Sequence, residues 1–221
     1  MLHKTTGVVF RFTKYGETSI IVTLFTEMFG LRSYIVNGVR SKSAKSKIAL
    51  FQPLTLLDLV VYHREHANIN RIKEVKCLYP YRTISTDIKK SALMMFIAEV
   101  INKTIKDESH AQELCQFLIR SFITLDEMSE QTENFHLRFL LRLSRFLGFG
   151  VYNVNELLGT RMTSVDIEQI LEKLLKSDYT ETVLIHNNQR REILELLLKF
   201  YADHMDNLGE MKSIQVLREI L

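Results

Sequence analysis

Four positively charged side chains fall within eight residues of one short stretch, residues 37–52, which reads NGVRSKSAKSKIALFQ. Serines and one alanine separate these cations, which are Arg40, Lys42, Lys45 and Lys47. No Asp or Glu occurs between Leu31 and Leu57. Cations spaced in this way suit a polyanion, because each contact with a nucleic-acid phosphate releases bound counterions. A solvated loop without a ligand gives the same pattern, so the run alone leaves both interpretations open.

The residues that precede this basic run favour a nucleic acid as its ligand. Arg32 and Tyr34 lie two positions apart on a predicted strand, so they share one face of it, and that strand leads directly into the run. Arg11 on the first predicted strand, with Lys14 and Tyr15 in the turn that follows, adds two cations and an aromatic ring. Barrel faces of this composition bind single strands, because bases stack on the rings while phosphates meet Lys and Arg. We therefore predict a site formed by these five residues and the run, without distinguishing DNA from RNA.

A second cluster of cations lies on a very apolar helix predicted over residues 132–147. Arg138, Arg142 and Arg145 follow one another at positions i, i+4 and i+7, which places them in one stripe. The stripe fits surface arginines that pair with nearby acids. It equally fits a cationic rim on which an acidic and hydrophobic peptide docks.

Sequence patterns typical of catalysis are absent from the chain. It has no GxxxxGK[ST] phosphate loop, no GxGxxG after a strand and no GxSxG nucleophile motif. His63-x-x-His66 is interpreted as a pair of turn histidines, because no cysteine or carboxylate cluster nearby completes a metal site. The carboxylate pairs Asp107-Glu108 and Asp126-Glu127 fall at predicted helix ends and are interpreted as solvated caps. We therefore predict a non-enzymatic protein without a metal or cofactor.

Composition is that of a globular chain made of one large domain or two small ones. Of its 221 residues, 46% are hydrophobic and 25% are charged. No apolar run approaches the roughly 18 residues that cross a bilayer, and the N-terminus lacks signal-peptide features. The two cysteines, Cys77 and Cys115, favour a reduced cytoplasmic protein. Residues 1–80 hold 12 Lys and Arg against 5 Asp and Glu, whereas residues 81–221 hold 17 against 21, which suggests two modules with different partners.

The front half of the chain predicts a small β-barrel. Five short β-branched or aromatic segments are bounded by turn residues, and they cover residues 5–13, 19–26, 31–36, 53–62 and 69–77. The long connection between the third and fourth strands could contain a helix over residues 43–51. This spacing fits a five-stranded antiparallel barrel of the OB-fold type.

Beyond Pro80 the hydrophobic period becomes helical. Predicted helices begin at Ser85 and Ser109, and others cover residues 132–147, 164–177, 189–206 and 211–221. The predicted fold class is therefore α+β with two domains. An N-terminal OB-fold barrel over residues 1–80 is followed by a C-terminal all-α helical bundle over residues 81–221.

The N-terminal stretch resembles the RecO family of bacterial recombination mediators. In outline that family shows a G-[IV]-V segment, a Y-x-E, a VTLFT followed by Gly, a G-x-R in a basic segment, and a QP. The matching residues here are Gly7-Val8-Val9, Tyr15 with Glu17, Val22 to Thr26 with Gly30, Gly38 with Arg40, and Gln52-Pro53. The close match runs over residues 5–54. The rear half resembles the family in its helical character and in the LGFGVY segment.

The resemblance implies an OB-fold followed by a helical domain. It implies binding to single- and double-stranded DNA, annealing of complementary strands, and work with RecR in loading RecA onto strands coated by single-stranded-DNA-binding protein (SSB). It also implies that the basic run contacts DNA and that the acidic C-terminal tail of SSB docks on the helical domain, where the Arg138 stripe is the candidate. Action in the cytoplasm, at the bacterial nucleoid, is expected.

One family feature is missing from this sequence. Many members hold a four-cysteine zinc site after the LGF segment, but residues 148–190 contain no cysteine. We predict that apolar packing replaces it, by Leu157, Leu158, Ile170 and Leu171. Two alternatives from other classes stay open, namely an OB-fold RNA-binding or ribosome-associated protein, and a scaffold whose basic run has no ligand.

Overall fold

The structure is a computed structural model that describes residues 1–40, 45–64, 67–106, 110–206 and 208–221, with the backbone alone at residues 45 and 46. The chain divides into two compact units. The first contains residues 1–81 and 106–123, and the second contains residues 82–105 and 124–221. The predicted boundary lies next to the end of the first stretch, but residues 106–123 belong to the unit that starts at the N-terminus. The division into domains 1–80 and 81–221 stays a prediction.

The first unit is built on a closed barrel of five strands in the order β1-β2-β3-β5-β4. The strands are β1 (Leu2–Tyr15), β2 (Ser19–Thr26), β3 (Gly30–Val36), β4 (Leu56–Tyr62) and β5 (Asn70–Cys77). Between β3 and β4 lie helix α1 (Lys45–Ile48) and a 3-10 helix (Ala49–Phe51). Buried aliphatic and aromatic residues from β1, β2, β3 and β4 fill the interior, together with Val39 and Phe51 from the connection, and the half-buried Ile72 and Val75 of β5 pack against them.

Strand β1 is long because it serves two neighbours. Its N-terminal half pairs with β4, from Leu2 opposite Tyr62 to Val8 opposite Leu56. Its C-terminal half pairs with β2, up to Tyr15 opposite Ser19. One strand therefore joins the two sides of the barrel.

Helices α2 to α8 follow within the described residues. They are α2 (Ile88–Thr104), α3 (Ala111–Glu127), α4 (Phe135–Phe146), α5 (Val154–Leu158), α6 (Val165–Lys176), α7 (Asn187–His204) and α8 (Ser213–Ile220). The first part of α3 packs on the barrel, where the Cys115 thiol donates to the Phe25 carbonyl at 3.8 Å and the Gln116 amide donates to Glu27 at 2.9 Å. In the second unit, Glu99 of α2 caps α8 by accepting from the Ser213 backbone N–H at 2.8 Å.

The predicted fold class is confirmed, with a five-stranded barrel followed by helices. Four of the five strand junctions are antiparallel, and β3 and β5 pair in parallel at Tyr34–Asn70 and Ile35–Arg71. Five strands closed into a ring cannot alternate direction at every junction, so one parallel pair is unavoidable.

Candidate nucleic-acid interface

The outward-facing residues of β1, β2 and β3 form cross-strand rows, which we call the first face. Core residues such as Val22 and Leu24 point inward, so the residues between them point outward. The rows are Arg11–Thr23–Ser33, Thr13–Ile21–Ile35 and Tyr15–Ser19. Arg11, Thr13 and Tyr15 are exposed, and Ile21 and Ile35 are half-buried. A cation, an aromatic ring, hydroxyls and aliphatic surface therefore lie together on one side of the barrel.

A β-bulge turns Arg11 outward. The register of β1 against β2 shifts between Val9 and Arg11, so Phe10 is an extra residue in the strand. Strict alternation from buried Val9 would aim Arg11 into the barrel. Because of the extra residue, the Arg11 side chain points outward instead. The Phe10 ring stacks on the Phe25 ring, with centroids 5.7 Å apart.

The start of the basic run lies against the turn between β1 and β2. Gly38 has a φ of +72°, which lets the chain turn back after β3. The Arg40 backbone N–H donates to the Thr18 carbonyl at 2.9 Å, and its guanidinium donates to the Gly16 carbonyl at 3.1 Å. These bonds fix Arg40 beside the turn that follows Lys14 and Tyr15, the last two residues of β1. The predicted site residues Lys14, Tyr15 and Arg40 therefore lie together at one end of the first face.

The rest of the basic run is only partly described. Lys47 is exposed on α1, a short helix within the region where a helix was predicted. Lys45 begins that helix, and its side chain lies outside the described part of the chain, as does all of Lys42.

Two predicted residues lie elsewhere in the barrel. Tyr34 and Arg32 do share a face, but it is the interior face. Tyr34 is fully buried, and burial raises the pKa of its hydroxyl to about 12, so the expectation that its ring stacks on a base is wrong. Arg32 instead lines a cleft at the barrel end with His3 and His63, away from Lys14 and Arg40.

The arginine stripe on α4 is buried at its N-terminal end and exposed at its C-terminal end. Arg138 is fully buried and donates to the Ser177 hydroxyl at 3.1 Å and the Glu181 carbonyl at 2.6 Å. The predicted exposed stripe is therefore wrong at Arg138, because the loop after α6 folds over this side chain.

The other two arginines of the stripe differ from each other. Arg142 donates to Asp178 at 2.7 Å, and its guanidinium carbon lies 4.3 Å from the centre of the Tyr179 ring. Arg145 is exposed and lies over the Tyr152 ring at 5.2 Å. Arg145 is thus the member of the stripe that a partner reaches most readily.

The sequence analysis missed one surface residue, Arg71, and one buried residue, Asp126. Arg71 is exposed on β5 and extends the row of Ile21 and Ile35 across the parallel pair. Its place in an alternating strand next to two other cations was the available signal. Asp126 was interpreted as a solvated cap, yet it is buried and accepts hydrogen bonds from the backbone N–H groups of residues 82–84.

The described residues contain no cluster of three or more His, Cys, Asp or Glu side chains that could hold a metal ion. The four apolar residues predicted to pack after the LGF segment are buried, namely Leu157, Leu158, Ile170 and Leu171. That they replace a zinc site stays a prediction. Among the same described residues, every helix is too short or too polar to cross a bilayer.

Comparison with known proteins places these features in a family. A model of the recombination protein O N-terminal region matches residues 1–81, and a model of its C-terminal region matches residues 85–155. The DNA repair protein RecO of Bacteroides fragilis is 34% identical, in an alignment that covers 100% of this chain and 99% of the relative. The DNA repair protein RecO of Flavobacterium psychrophilum is 33% identical, and the alignment covers 98% of this chain and 98% of the relative. That of Christiangramia forsetii is 34% identical over 100% of this chain and 99% of the relative. The chain therefore belongs to the RecO family of DNA repair proteins.

Proposed function

We propose that this chain binds single-stranded DNA across the first face and the basic end beside it, and that it acts as a repair mediator rather than an enzyme. The main support for this proposal is the strand register, which places Arg11, Thr13 and Tyr15 on one exposed side of the barrel, with Lys14 and Arg40 at its edge. Bases stack on the ring and lie over Ile21 and Ile35, while phosphates meet the cations. Backbone contacts of this kind also serve double-stranded DNA.

The family supports a wider role. The relatives are named DNA repair proteins, and we propose that this chain anneals complementary strands and works with RecR to load RecA onto SSB-coated DNA in the bacterial cytoplasm. We further propose that the SSB tail docks on the helical unit. Arg145 is the exposed cation of α4 for that contact, whereas buried Arg138 takes no part.

Fluorescence anisotropy with a labelled single strand, measured over a range of salt, tests the first proposal. Replacing Arg11 and Lys14 by Ala should weaken binding at low salt. It should also flatten the slope of log K against log salt by about 1.4, because each single-strand phosphate contact contributes about 0.7. Arg40 is kept in this variant, since its guanidinium holds the hairpin turn. The matched control replaces Lys173 and Lys176, two exposed cations of α6, and should bind as the wild type does.

Failure of the wild type to bind single strands at low salt would exclude the proposal. Unchanged affinity and slope in the Arg11/Lys14 variant would move the site elsewhere. Tighter binding to RNA of equal length would favour the RNA-binding alternative. Annealing of SSB-coated complementary strands tests the mediator role, since an RNA-binding protein should not accelerate it.

A further inference from the structure

The barrel carries another set of outward rows, formed by the N-terminal half of β1 with β4 and β5. We call it the second face. Its rows follow from the strand register, and they are Leu2–Tyr62–Arg71, Lys4–Val60–Glu74 and Thr6–Asp58–Lys76. Inward-pointing Leu57, Leu59 and Val61 alternate with the β4 residues of these rows, which confirms their outward direction.

The first row of the second face combines a ring, a cation and an aliphatic side chain. Tyr62 is 47% exposed, and in-register neighbours flank it, with the exposed Arg71 on one side and the 45% exposed Leu2 on the other. Arg64 and Ile69 are also exposed, in the connection from β4 to β5. An exposed tyrosine with an arginine beside it is the combination on which an unpaired base stacks while its phosphate is held.

The charge of this face favours a polyanion. Within the described residues, its rows and the bulge residue Lys73 hold four cations against Asp58 and Glu74, and Arg64 in the connection adds a fifth cation. A third carboxylate, that of Glu27, accepts from the Thr6 hydroxyl at 2.9 Å. Lys4 pairs with Asp58 and Lys73 pairs with Glu74, each at 3.7 Å. The Lys73–Glu74 pair is exposed, and in the Lys4–Asp58 pair the carboxylate is half-buried. Surface pairs contribute little stability, so an incoming phosphate can replace either carboxylate. The other cations of the face are Arg64, Arg71 and Lys76.

A second β-bulge adds to the cations that face outward. The β4–β5 register shifts between Val60 and Val61, and the pairing passes from Glu74 to Ile72. Lys73 is therefore the extra residue of the bulge. Ile72 and Val75 pack against the core, and the bulge leaves both Lys73 and Glu74 exposed between them.

The two faces meet at Arg71. This residue is opposite Ile35 of the first face across the parallel pair, and opposite Tyr62 of the second face across the antiparallel pair. Neighbouring strands lie about 4.8 Å apart, so the Ile35 and Tyr62 positions are separated by about 10 Å across the barrel surface. Polynucleotides on the two faces would be close enough for their bases to meet.

We propose that the second face binds a second DNA strand while the first face holds its complement, so that one barrel brings together the two strands to be annealed. This inference rests on the proposed single-strand binding at the first face. A DNA strand fits better than an acidic peptide, because the exposed ring and aliphatic groups lie beside the cations in the same row and continue the row of the first face.

The test uses the full-length protein and two non-complementary oligonucleotides. Native mass spectrometry at low salt should show one chain with two strands bound. A variant with Tyr62→Ala and Lys76→Ala should keep its affinity for a single strand within about twofold and lose the two-strand complex. Annealing of complementary strands should slow by about tenfold, the effect of losing one stacked base of about 1.4 kcal/mol. Arg71 is kept, because it borders both faces.

The matched variant Arg11→Ala with Lys14→Ala should lose the first strand, and circular dichroism with thermal melting checks that both variants are folded. If the wild type binds one strand per chain and never two, or if the Tyr62/Lys76 variant anneals at the wild-type rate, the second-face proposal is wrong while the first-face proposal stands. If the wild type binds no single strand, the first-face proposal itself has failed. If the Tyr62/Lys76 variant still binds two strands as the wild type does, the second strand does not bind at the second face and the proposal is wrong.

Discussion

The Asp126 carboxylate ties the start of the second unit to the end of α3. One of its oxygens accepts from the backbone N–H groups of Thr83 and Ile84 at 2.9 and 3.0 Å, and the other accepts from that of Arg82 at 2.9 Å. Buried Lys90 donates to the Asp126 carbonyl at 2.8 Å. Three converging N–H groups form a concave anion site, and here the protein's own side chain occupies it.

Replacing Asp126 by Asn should lower the free energy of unfolding by about 2–3 kcal/mol, because an amide NH2 then faces donors that need an acceptor. Burial alone raises the pKa of the carboxyl, but the converging N–H donors outweigh it and hold the pKa below its usual value. Its stabilising effect is therefore complete above about pH 4 and is lost as the pH falls further. Urea unfolding at pH 7 and at pH 3 measures both effects. Glu127→Gln, at the exposed neighbouring position, is the control and should change little.

His136 makes stability depend on pH in a different window. Burial, with the nearby Arg190 guanidinium adding to it, lowers the pKa of His136 to about 3, while a hydrogen bond with the Glu133 backbone opposes this. The unfolded chain binds this proton with a pKa of about 6.5. Between these values the unfolded state holds a proton that the folded state lacks, so stability falls as the pH falls.

Between pH 7 and pH 5 the wild type should therefore lose about 2 kcal/mol of stability at this site, and His136→Leu should not lose this contribution. Urea unfolding of both proteins at the two pH values measures the difference. The quantity to compare is the change in the free energy of unfolding between pH 7 and pH 5, because the substitution itself also changes the absolute stability. Parallel losses in the two proteins would show that His136 is not the group responsible.

At the scale of elements, the bulges in β1 and β5 are features that the sequence pattern does not predict. The strand segments themselves were predictable, and β2 matches its predicted bounds. A period-two pattern assumes unbroken pairing, however, and one extra residue inverts the face of all that follows. Strict alternation along β5 would put Arg71 and Val75 on one face, whereas the bulge at Lys73 leaves Arg71 outside and Val75 against the core.

Helix α4 shows a related limit. Spacing correctly places its three arginines in one stripe, but spacing does not show which part of the stripe a distant loop will cover. Arg138 and Arg142 hold residues 177–181 through hydrogen bonds to Ser177, Asp178 and Glu181. The stripe therefore stabilises that loop before it serves any partner.

This difference between neighbouring arginines gives a measurable contrast. Arg138→Ala should lower the free energy of unfolding by about 3 kcal/mol, because it leaves the buried Ser177 hydroxyl and Tyr179 carbonyl without their donor. Arg145→Ala should stay within about 0.5 kcal/mol, as exposed substitutions usually do. Thermal or urea unfolding of the two variants measures this difference in stability. Equal stability of the two variants would contradict the bracing role of Arg138.

At the scale of the whole molecule, charge asymmetry predicted two modules but not the place of residues 106–123. These residues follow the first helix of the second unit in sequence, yet they belong to the unit of the barrel. Local periodicity reports that a segment is helical and which side is apolar, but not which apolar surface it covers. Leu114, Leu118 and Phe122 on this segment are all buried.

A fragment that ends at residue 81 should therefore be less stable than one that ends at residue 127. It lacks Cys115 of α3, whose thiol donates to the Phe25 carbonyl, and Phe25 and its stacking partner Phe10 are both buried in the full chain. We expect the shorter fragment to bind a hydrophobic dye and to melt at lower temperature than the longer one. Equal dye binding and melting by the two fragments would show that the barrel does not depend on α3.

The double pairing of β1 also has a consequence for how the chain folds. The C-terminal half of β1 meets β2 across a three-residue turn, residues 16–18, and β2 meets β3 across another short turn, so this meander forms by local loop closure. The N-terminal half of β1 pairs instead with β4, which is distant in sequence, so that Leu2 lies opposite Tyr62. Closure of the barrel should thus be the slow, rate-determining event. The surface for a first strand would then exist in the nascent meander before the ring is complete.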